Sequence, residues 1–253
     1  MLLGPIYHLY SWRLWREIKD KQKPYHIGVI LDGNRRYGRK KGLPPHEAHK
    51  LGAKKVEEFL EWAWDLGIKV VTLYTFSTEN FKRSPEEVHE IMNLAKEYFR
   101  KVAHDEKIHR RKVKVRAIGR IDLLPEDVRE TINLAIEATK NYNEHILNVA
   151  IGYGGRYEMV DAVRRIAQKV LEGKIRIDEI TDKTIEQYLY TAGIPDPDLI
   201  IRTSGEERLS GFLLWQSAYS ELFFCEVFWP AFRRIDLWRA IRGYQQRKRR
   251  FGK

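Results

Sequence analysis

The feature that most constrains this chain is the alternation of short β-rich runs with longer stretches of helical spacing. The runs are HIGVIL, KVVTLYTF, VKVRAIG, LNVAIGYGG, PDLIIRTSG and ELFFCEVF. They are rich in β-branched and aromatic residues, as strands are. Helical patterns fall at 45–66, closed by Gly67, at LLPEDVRETINLAIEATKNY and at 156–171. Another helix starts at Ser84, where Pro85 occupies the first helical position and Glu87 completes a capping box, and runs to about residue 107. Strands separated by such helices require right-handed crossovers. The expected fold is therefore α/β: a single domain with a mostly parallel six-stranded central sheet flanked by helices. The 253 residues, 43% of them hydrophobic, suffice for one such core.

In an open parallel sheet, ligands bind beyond the carboxyl ends of the strands. The first strand is followed by DGNRR, the second by STEN, the fourth by YGGR and the fifth by RTSGEERLS. Asp32 stands at the end of an apolar run, with Arg35, Arg36, Arg39, Lys40 and Lys41 just beyond it. An acid placed there, inside a cationic loop, suggests a metal and a polyphosphate. Each end also has a plainer reading. Asp32 with Gly33 is a common turn pair. Ser77 and Asn80 are suited to capping the next helix, and Arg202 to pairing with an acid. Gly152, Gly154 and Gly155 fit a tight turn as well as a phosphate cradle, and their spacing matches no dinucleotide or P-loop fingerprint.

The 46 Lys and Arg against 35 Asp and Glu give +11, which favours an anionic partner: nucleic acid, a membrane face or a phosphorylated small molecule. The basic tail RGYQQRKRR is the best feature for nucleic acid, but no RNA or DNA motif accompanies it, so no nucleic-acid partner is expected. The single cysteine, Cys225, excludes an intrachain disulfide framework and points to a reducing, cytoplasmic setting. No run of 18 apolar residues exists, so no transmembrane helix is expected. Residues 1–24 read as an amphipathic helix with Leu3, Ile6, Tyr10, Leu14 and Ile18 on one face, flanked by Trp12, Arg13, Trp15 and Arg16. Such a helix either lies on a membrane surface, as a peripheral attachment at its inner face, or packs on its own domain.

HIGVILDGNRRYGRKKG, LYTFSTENFKR, NVAIGYGGR and DLIIRTSGEERLSGFLLWQSAYSELFF occur in the order seen in the cis-prenyltransferases, and from about Tyr25 to the C-terminal RRFG the chain resembles that family. DGNRR, with Arg35 where many members have glycine, is similar to the archaeal and eukaryotic forms of undecaprenyl diphosphate synthase. The resemblance implies a catalytic domain over 25–253 with a deep apolar tunnel. It also implies repeated condensation of isopentenyl diphosphate onto an allylic diphosphate, farnesyl or geranylgeranyl. The product would be a Z-polyprenyl diphosphate, precursor of a glycosyl carrier lipid.

The same resemblance assigns residues. Asp32 binds Mg²⁺ and helps diphosphate leave, with Glu221 as a second acid that reaches the metal or orients arginines. Gly33, Asn34, Arg35, Arg36 and His49 hold the allylic diphosphate, and Phe81 and Arg83 belong to the mobile loop beside it. Ser77 and Asn80 act near the reacting carbons. Arg202, Arg208 and Ser210 bind isopentenyl diphosphate, completed by Arg250 and Gly252 of a neighbouring subunit, which makes the enzyme a homodimer. Guanidinium forks suit such a site because they grip oxygens in pairs. Two positions depart from the family: Pro45 stands where many members have an allylic-site arginine, and Glu207 where many have histidine. A non-catalytic subunit of a heteromeric enzyme is the competing reading, and the complete set of acid and arginines argues against it.

Overall fold

The computed structural model describes residues 3–247. In chain order the elements are α1 (Leu3–Ile18), β1 (His26–Ile30), α2 (Asn34–Lys41), α3 (Pro45–Asp65), β2 (Val70–Ser77), α4 (Pro85–Val102) and α5 (Glu106–Arg110). They continue as β3 (Val113–Ile118), α6 (Glu126–Thr139), β4 (His145–Tyr153), α7 (Gly155–Leu171), α8 (Asp182–Tyr188), β5 (Leu199–Arg202), β6 (Glu221–Phe224) and α9 (Arg234–Gln246). The strands form one six-stranded sheet in the order β3-β4-β2-β1-β5-β6. Pairing is parallel where β1 meets β5, β3 meets β4 and β5 meets β6. From β1 the chain moves to one side of the sheet, to β2, whereas from β5 it moves to the other, to β6. The loops after β1 and β5 therefore diverge and open a switch point of the kind where α/β sheets bind ligands.

Two compact units emerge along the chain. The first runs up to Val71 and takes in Pro197–Glu207 and the chain from Ser220 onward. Its core combines the fully buried strand β1 with Ile200 and Ile201 and an aromatic cluster in which Trp229 lies 5.6 Å from Phe59 and 5.5 Å from Phe232. Here α2 packs on α3, and α1 packs on α9. The part of the α1 stripe formed by Leu14 and Ile18 is buried, and Trp15 lies 5.3 Å from Trp238. Packing of α1 on its own unit, one of the two readings open in the sequence, is the one observed.

The second unit comprises Thr72–Asp196 and Arg208–Tyr219. Its core holds Leu73, Phe76, Val115, Ile132, Leu147, Tyr153 and Phe212, with Tyr74 stacked on Phe212 at 4.8 Å. In it α4 packs on α6, α6 on β3, and α7 on α8.

Two segments differ from the expected ones. The segment read as a cationic loop after Asp32 is α2, entered at Gly33 with φ 101° and left at Gly42 with φ 67°. Arg39, Lys40 and Lys41 lie in its last turn, where cations complement the helix dipole. The helix from Ser84 begins as expected, with the Ser84 hydroxyl accepting from Glu87 N–H at 3.3 Å, but it stops at Val102. Asp105 then caps the separate α5 by accepting from Lys107 N–H at 2.8 Å. Among the described residues, no helix is long and apolar enough to cross a membrane.

Candidate active site

The switch point is built from the first unit. Ile30, last in β1, sits in register with Arg202, last in β5. Asp32 follows two residues on, and its carbonyl oxygen accepts from Thr203 Oγ1 at 2.7 Å and from Trp229 N–H at 3.0 Å. Its carboxylate meets Arg202, whose Nη2 donates to Oδ2 at 2.8 Å. Arg202 is 4% exposed and the Asp32 side chain 29% exposed, so the acid bridges a buried guanidinium and the surface. Burial alone would raise the Asp32 pKa. The hydrogen bond and charge of Arg202, with the charge of Arg36, overcome that and hold the carboxyl below its ordinary value of 3.8.

Gly33 starts α2 in the left-handed region, and a Cβ there would sit 2.7 Å from Phe228 Cδ1 and 3.0 Å from Ser204 Cβ. Only glycine fits on both counts. The opening amides of α2 have no partner inside the helix and lie directly after Asp32, which makes this end receptive to an anion. Arg36 is fixed from several sides. Its Nη2 donates to Ser204 Oγ at 2.5 Å and lies 3.5 Å from Asp32 Oδ1, while Nη1 donates to Glu206 Oε1 at 3.0 Å. Its guanidinium carbon also lies 5.6 Å from the centre of the Phe228 ring. Ser204, Glu206 and Phe228 are thus part of the arrangement around Asp32, though motif reading passed over them.

Asn34 turns inward. Its Nδ2 donates to Leu31 carbonyl oxygen at 3.1 Å, and its Oδ1 occupies the space a Cβ at Gly52 would need. Gly52 also offers its carbonyl oxygen to Trp229 Nε1 at 2.8 Å, so one glycine of α3 seats both the Asp32 turn and the tryptophan beneath it. Arg35 is exposed at the start of α2, and His49 is half-buried on α3.

Glu221 does not share this site. It is paired with Leu199 at the start of β5, three residues before Arg202, a separation of about 10 Å along the strands at the usual rise. Its Oε2 accepts from Arg247 Nη1 at 2.6 Å. Parallel pairing places Glu221 at the amino end of the strands and Asp32 beyond the carboxyl end, so the two cannot hold one ion within a chain. Within one chain, the arginine that Glu221 meets is Arg247 and the Asp32 carboxylate stands apart from it. Among the described residues, no cluster of three His, Cys, Asp or Glu could hold a metal by itself. The donor set at Asp32 still suits Mg²⁺, which commonly takes one or two carboxylates and completes its shell with waters and substrate phosphates.

The second unit carries the remaining predicted residues. Ser77 closes β2, and Asn80 lies in the 3₁₀ turn Thr78–Lys82, where its Oδ1 accepts from Ser77 N–H at 2.9 Å. The pair thus caps this turn and not the next helix, whose cap is Ser84. The cap is reciprocal, the Ser77 side chain facing the Asn80 backbone in turn, and it leaves the Asn80 amide N–H₂ outside. Phe81 packs edge-on against Phe76 at 4.9 Å, and Arg83 Nη1 bonds Glu87 Oε1 at 3.0 Å. Arg208 and Ser210 are exposed. Ser210 has φ 50°, Gly211 φ 74° and Leu213 φ 47°, so this segment is held in left-handed backbone by its surroundings. Tyr74 OH donates to Ser210 carbonyl oxygen at 3.4 Å, and Gly155 N–H donates to Gly211 carbonyl oxygen at 3.1 Å. A Cβ at Gly155 would strike that carbonyl. Close packing, rather than a phosphate cradle, accounts for glycine at this position.

Beneath the segment lies a buried acid that sequence reading missed. Glu158, 1% exposed, accepts from Tyr153 OH at 2.5 Å, Tyr190 N–H at 2.8 Å and Gln216 Nε2 at 3.1 Å. Gln216 Nε2 also reaches Thr191 Oγ1 at 2.9 Å. Burial pushes the Glu158 pKa up against these hydrogen bonds. Burial likewise pushes the half-buried Cys225 thiol up to about 11, so it stays protonated. Arg250 and Gly252 lie outside the described residues.

A carboxylate clamped by a buried arginine, at the carboxyl end of a parallel sheet and beside a helix amino end, marks an α/β protein with a switch point receptive to anions. The chain belongs to the undecaprenyl diphosphate synthase family, which it matches over residues 30–252, and is a cis-prenyltransferase. It is 54% identical over 251 residues to the tritrans,polycis-undecaprenyl-diphosphate synthase (geranylgeranyl-diphosphate specific) of Methanopyrus kandleri, covering 99% of this chain and 93% of that protein. The enzyme of the same name from Methanocaldococcus jannaschii is 54% identical over 250 residues, covering 98% and 89%. Among solved structures, lavandulyl diphosphate synthase from Lavandula x intermedia in complex with dimethylallyl diphosphate superposes with a TM-score of 0.88 at 35% identity, covering 91% of this chain and 99% of that one. A probable undecaprenyl diphosphate synthase from Campylobacter jejuni gives 0.75 at 32% identity, covering 92% and 100%.

Proposed function

We propose that this enzyme extends geranylgeranyl diphosphate by repeated condensation with isopentenyl diphosphate, giving a long Z-polyprenyl diphosphate that is the precursor of a glycosyl carrier lipid. The starter is chosen because the archaeal relatives named above are designated geranylgeranyl-diphosphate specific. The observation that carries the reading is the Asp32–Arg202 pair with Arg36 beside it, at the opening amides of α2.

In the reaction, the allylic C–O bond breaks and diphosphate leaves with the bonding electrons. The double bond of isopentenyl diphosphate attacks the allylic carbon, and transfer of a proton from the carbon next to the resulting cation to the departed diphosphate creates the new cis double bond. Arg36 and the first amides of α2 hold the leaving diphosphate, where fixed donors are worth most as charge develops. Asp32, kept ionised by Arg202, would hold Mg²⁺, which when bound neutralises diphosphate charge. Arg208 and Ser210 grip the diphosphate of the incoming unit. Ser77 and Asn80 orient the reacting carbons, Asn80 through the amide N–H₂ that their mutual cap leaves outside. A homodimer in which the neighbouring subunit contributes Arg250 and Gly252 belongs to the same reading, as does work in the cytoplasm at a membrane face, where a product this apolar must be delivered.

The test is incorporation of radiolabelled isopentenyl diphosphate by the purified chain with Mg²⁺, offering geranylgeranyl, farnesyl and dimethylallyl diphosphates in turn. Preference for the geranylgeranyl starter by about tenfold or more in kcat/KM is expected, the scale on which apolar pockets discriminate. Incorporation with none of the three would overturn the reading, and preference for farnesyl would overturn the starter alone.

A further inference from the structure

The outer face of α1 carries two large apolar side chains in water: Leu9 is 66% and Trp12 55% exposed. On the opposite face Leu14 and Ile18 are buried and Tyr10 OH accepts from Arg239 Nε at 3.3 Å. At helical spacing, Leu9, Trp12, Arg13 and Arg16 share the side away from Leu14 and Ile18. The Arg16 guanidinium carbon lies 4.7 Å from the centre of the Trp12 ring, and Arg13 is exposed. The one acid of the helix, Glu17, faces inward, its Oε2 3.8 Å from Arg242 Nη1 and its Oε1 accepting from Gln246 Nε2 at 3.2 Å. This face is thus apolar and cationic with no acid of its own.

We propose that the outer face of α1 docks the enzyme on an anionic bilayer. Leu9 and Trp12 enter the boundary between headgroups and acyl chains, where tryptophan is favoured and helices of this composition lie. Arg13 and Arg16 meet the lipid phosphates, which attract basic residues close to the surface. Because α1 is already folded and locked onto α9, docking costs no helix formation. None of Leu9, Trp12, Arg13 and Arg16 is among the residues assigned to substrate or metal, so docking can be altered apart from turnover. The inference rests on the proposed function only for the reason a membrane is needed.

Flotation with vesicles of pure phosphatidylcholine, and of phosphatidylcholine with about a third phosphatidylglycerol, tests it at low and high salt. The wild-type chain is expected to float with the anionic vesicles, less so in high salt. The Leu9→Ser/Trp12→Ser variant should lose about tenfold or more of that partitioning. Arg13→Glu/Arg16→Glu should lose the preference for anionic lipid. Both variants should keep the wild-type circular dichroism and turnover in detergent. Flotation of the Leu9→Ser/Trp12→Ser variant at the wild-type level would overturn the proposal. So would a shift in oligomeric state by these variants without change in flotation, since the face would then be a contact between copies. An active wild-type enzyme that fails to float sinks this inference alone; one that floats but incorporates no isopentenyl diphosphate sinks the proposed function alone.

Discussion

Arg202 Nη2 lies 2.8 Å from Asp32 Oδ2, and the arginine is buried while the acid reaches the surface. The guanidinium has been taken out of water, and Asp32 is the charge that compensates it. This one bond ties the ends of β1 and β5 together at the point where their loops part. If it also supplies the carboxylate for diphosphate departure, Asp32→Asn should reduce turnover by about 10²-fold or more, the scale for loss of one preorganised electrostatic group. The fold should persist, because an amide oxygen can still accept from Arg202. Single-turnover incorporation, read beside circular dichroism, checks both halves. Near wild-type turnover would remove Asp32 from the chemistry.

The same pair sets a pH signature. Asp32 is held below its ordinary 3.8, so the folded state binds this proton more weakly than the unfolded chain does. Its contribution to stability is therefore fully present above the ordinary value and is lost as pH falls through the lower, folded value. Urea midpoints of wild type and Asp32→Asn, measured between about pH 2.5 and 6, should differ most at the upper end and converge downward. A constant difference across the range would refute this electrostatic account.

Alternation of strand and helix was legible in the sequence because period and composition are local properties, and the Ser84 cap announced its helix for the same reason. The residues that fix Arg36 were not. Glu206 sits beside Glu207 in an ordinary-looking acidic pair, and only the return of β5 next to β1 brings its carboxylate to Arg36. Glu221 shows the converse. Its position in the motif suggests an acid that reaches a metal or orients arginines, and only strand register, a tertiary property, shows that within one chain it stands at the other end of the sheet from Asp32, against Arg247. Glu158 carries no signal in sequence, since a buried acid looks like any helical acid until its three donors arrive from separate segments.

Gly52 offers a test of how the Asp32 turn is seated. In an exposed helix, glycine to alanine is stabilising, by up to about 1 kcal/mol. Here the new methyl would collide with Asn34 Oδ1, and Asn34 is anchored to Leu31 carbonyl oxygen. Gly52→Ala should instead destabilise by about 1–3 kcal/mol, the usual range for overpacking, and reduce turnover by displacing Asp32. Asn34→Ala relieves the collision, so the double variant should be more stable than the sum of the single changes predicts. Chemical denaturation of the four proteins gives the coupling. Additive effects would mean that Gly52 and Asn34 do not act through one another.

Glu158 should stabilise its unit through three hydrogen bonds at once. Glu158→Ala leaves Tyr153 OH, Tyr190 N–H and the Gln216 amide without their acceptor in a buried space, and a loss of about 2–4 kcal/mol is expected from groups that keep their desolvation but lose their partner. Glu158→Gln retains an acceptor oxygen and should recover part of that loss. The pH dependence runs opposite to that of Asp32. Burial raises the folded pKa above the ordinary 4.5, so over this interval the folded state keeps a proton that the unfolded chain has released. Stability should therefore fall as pH rises from about 4.5 through the raised value, and Glu158→Gln should flatten the fall. Thermal melts of both proteins across that window measure it. A wild-type profile rising through the same interval, with no change on substitution, would show that the hydrogen bonds outweigh burial at this carboxyl.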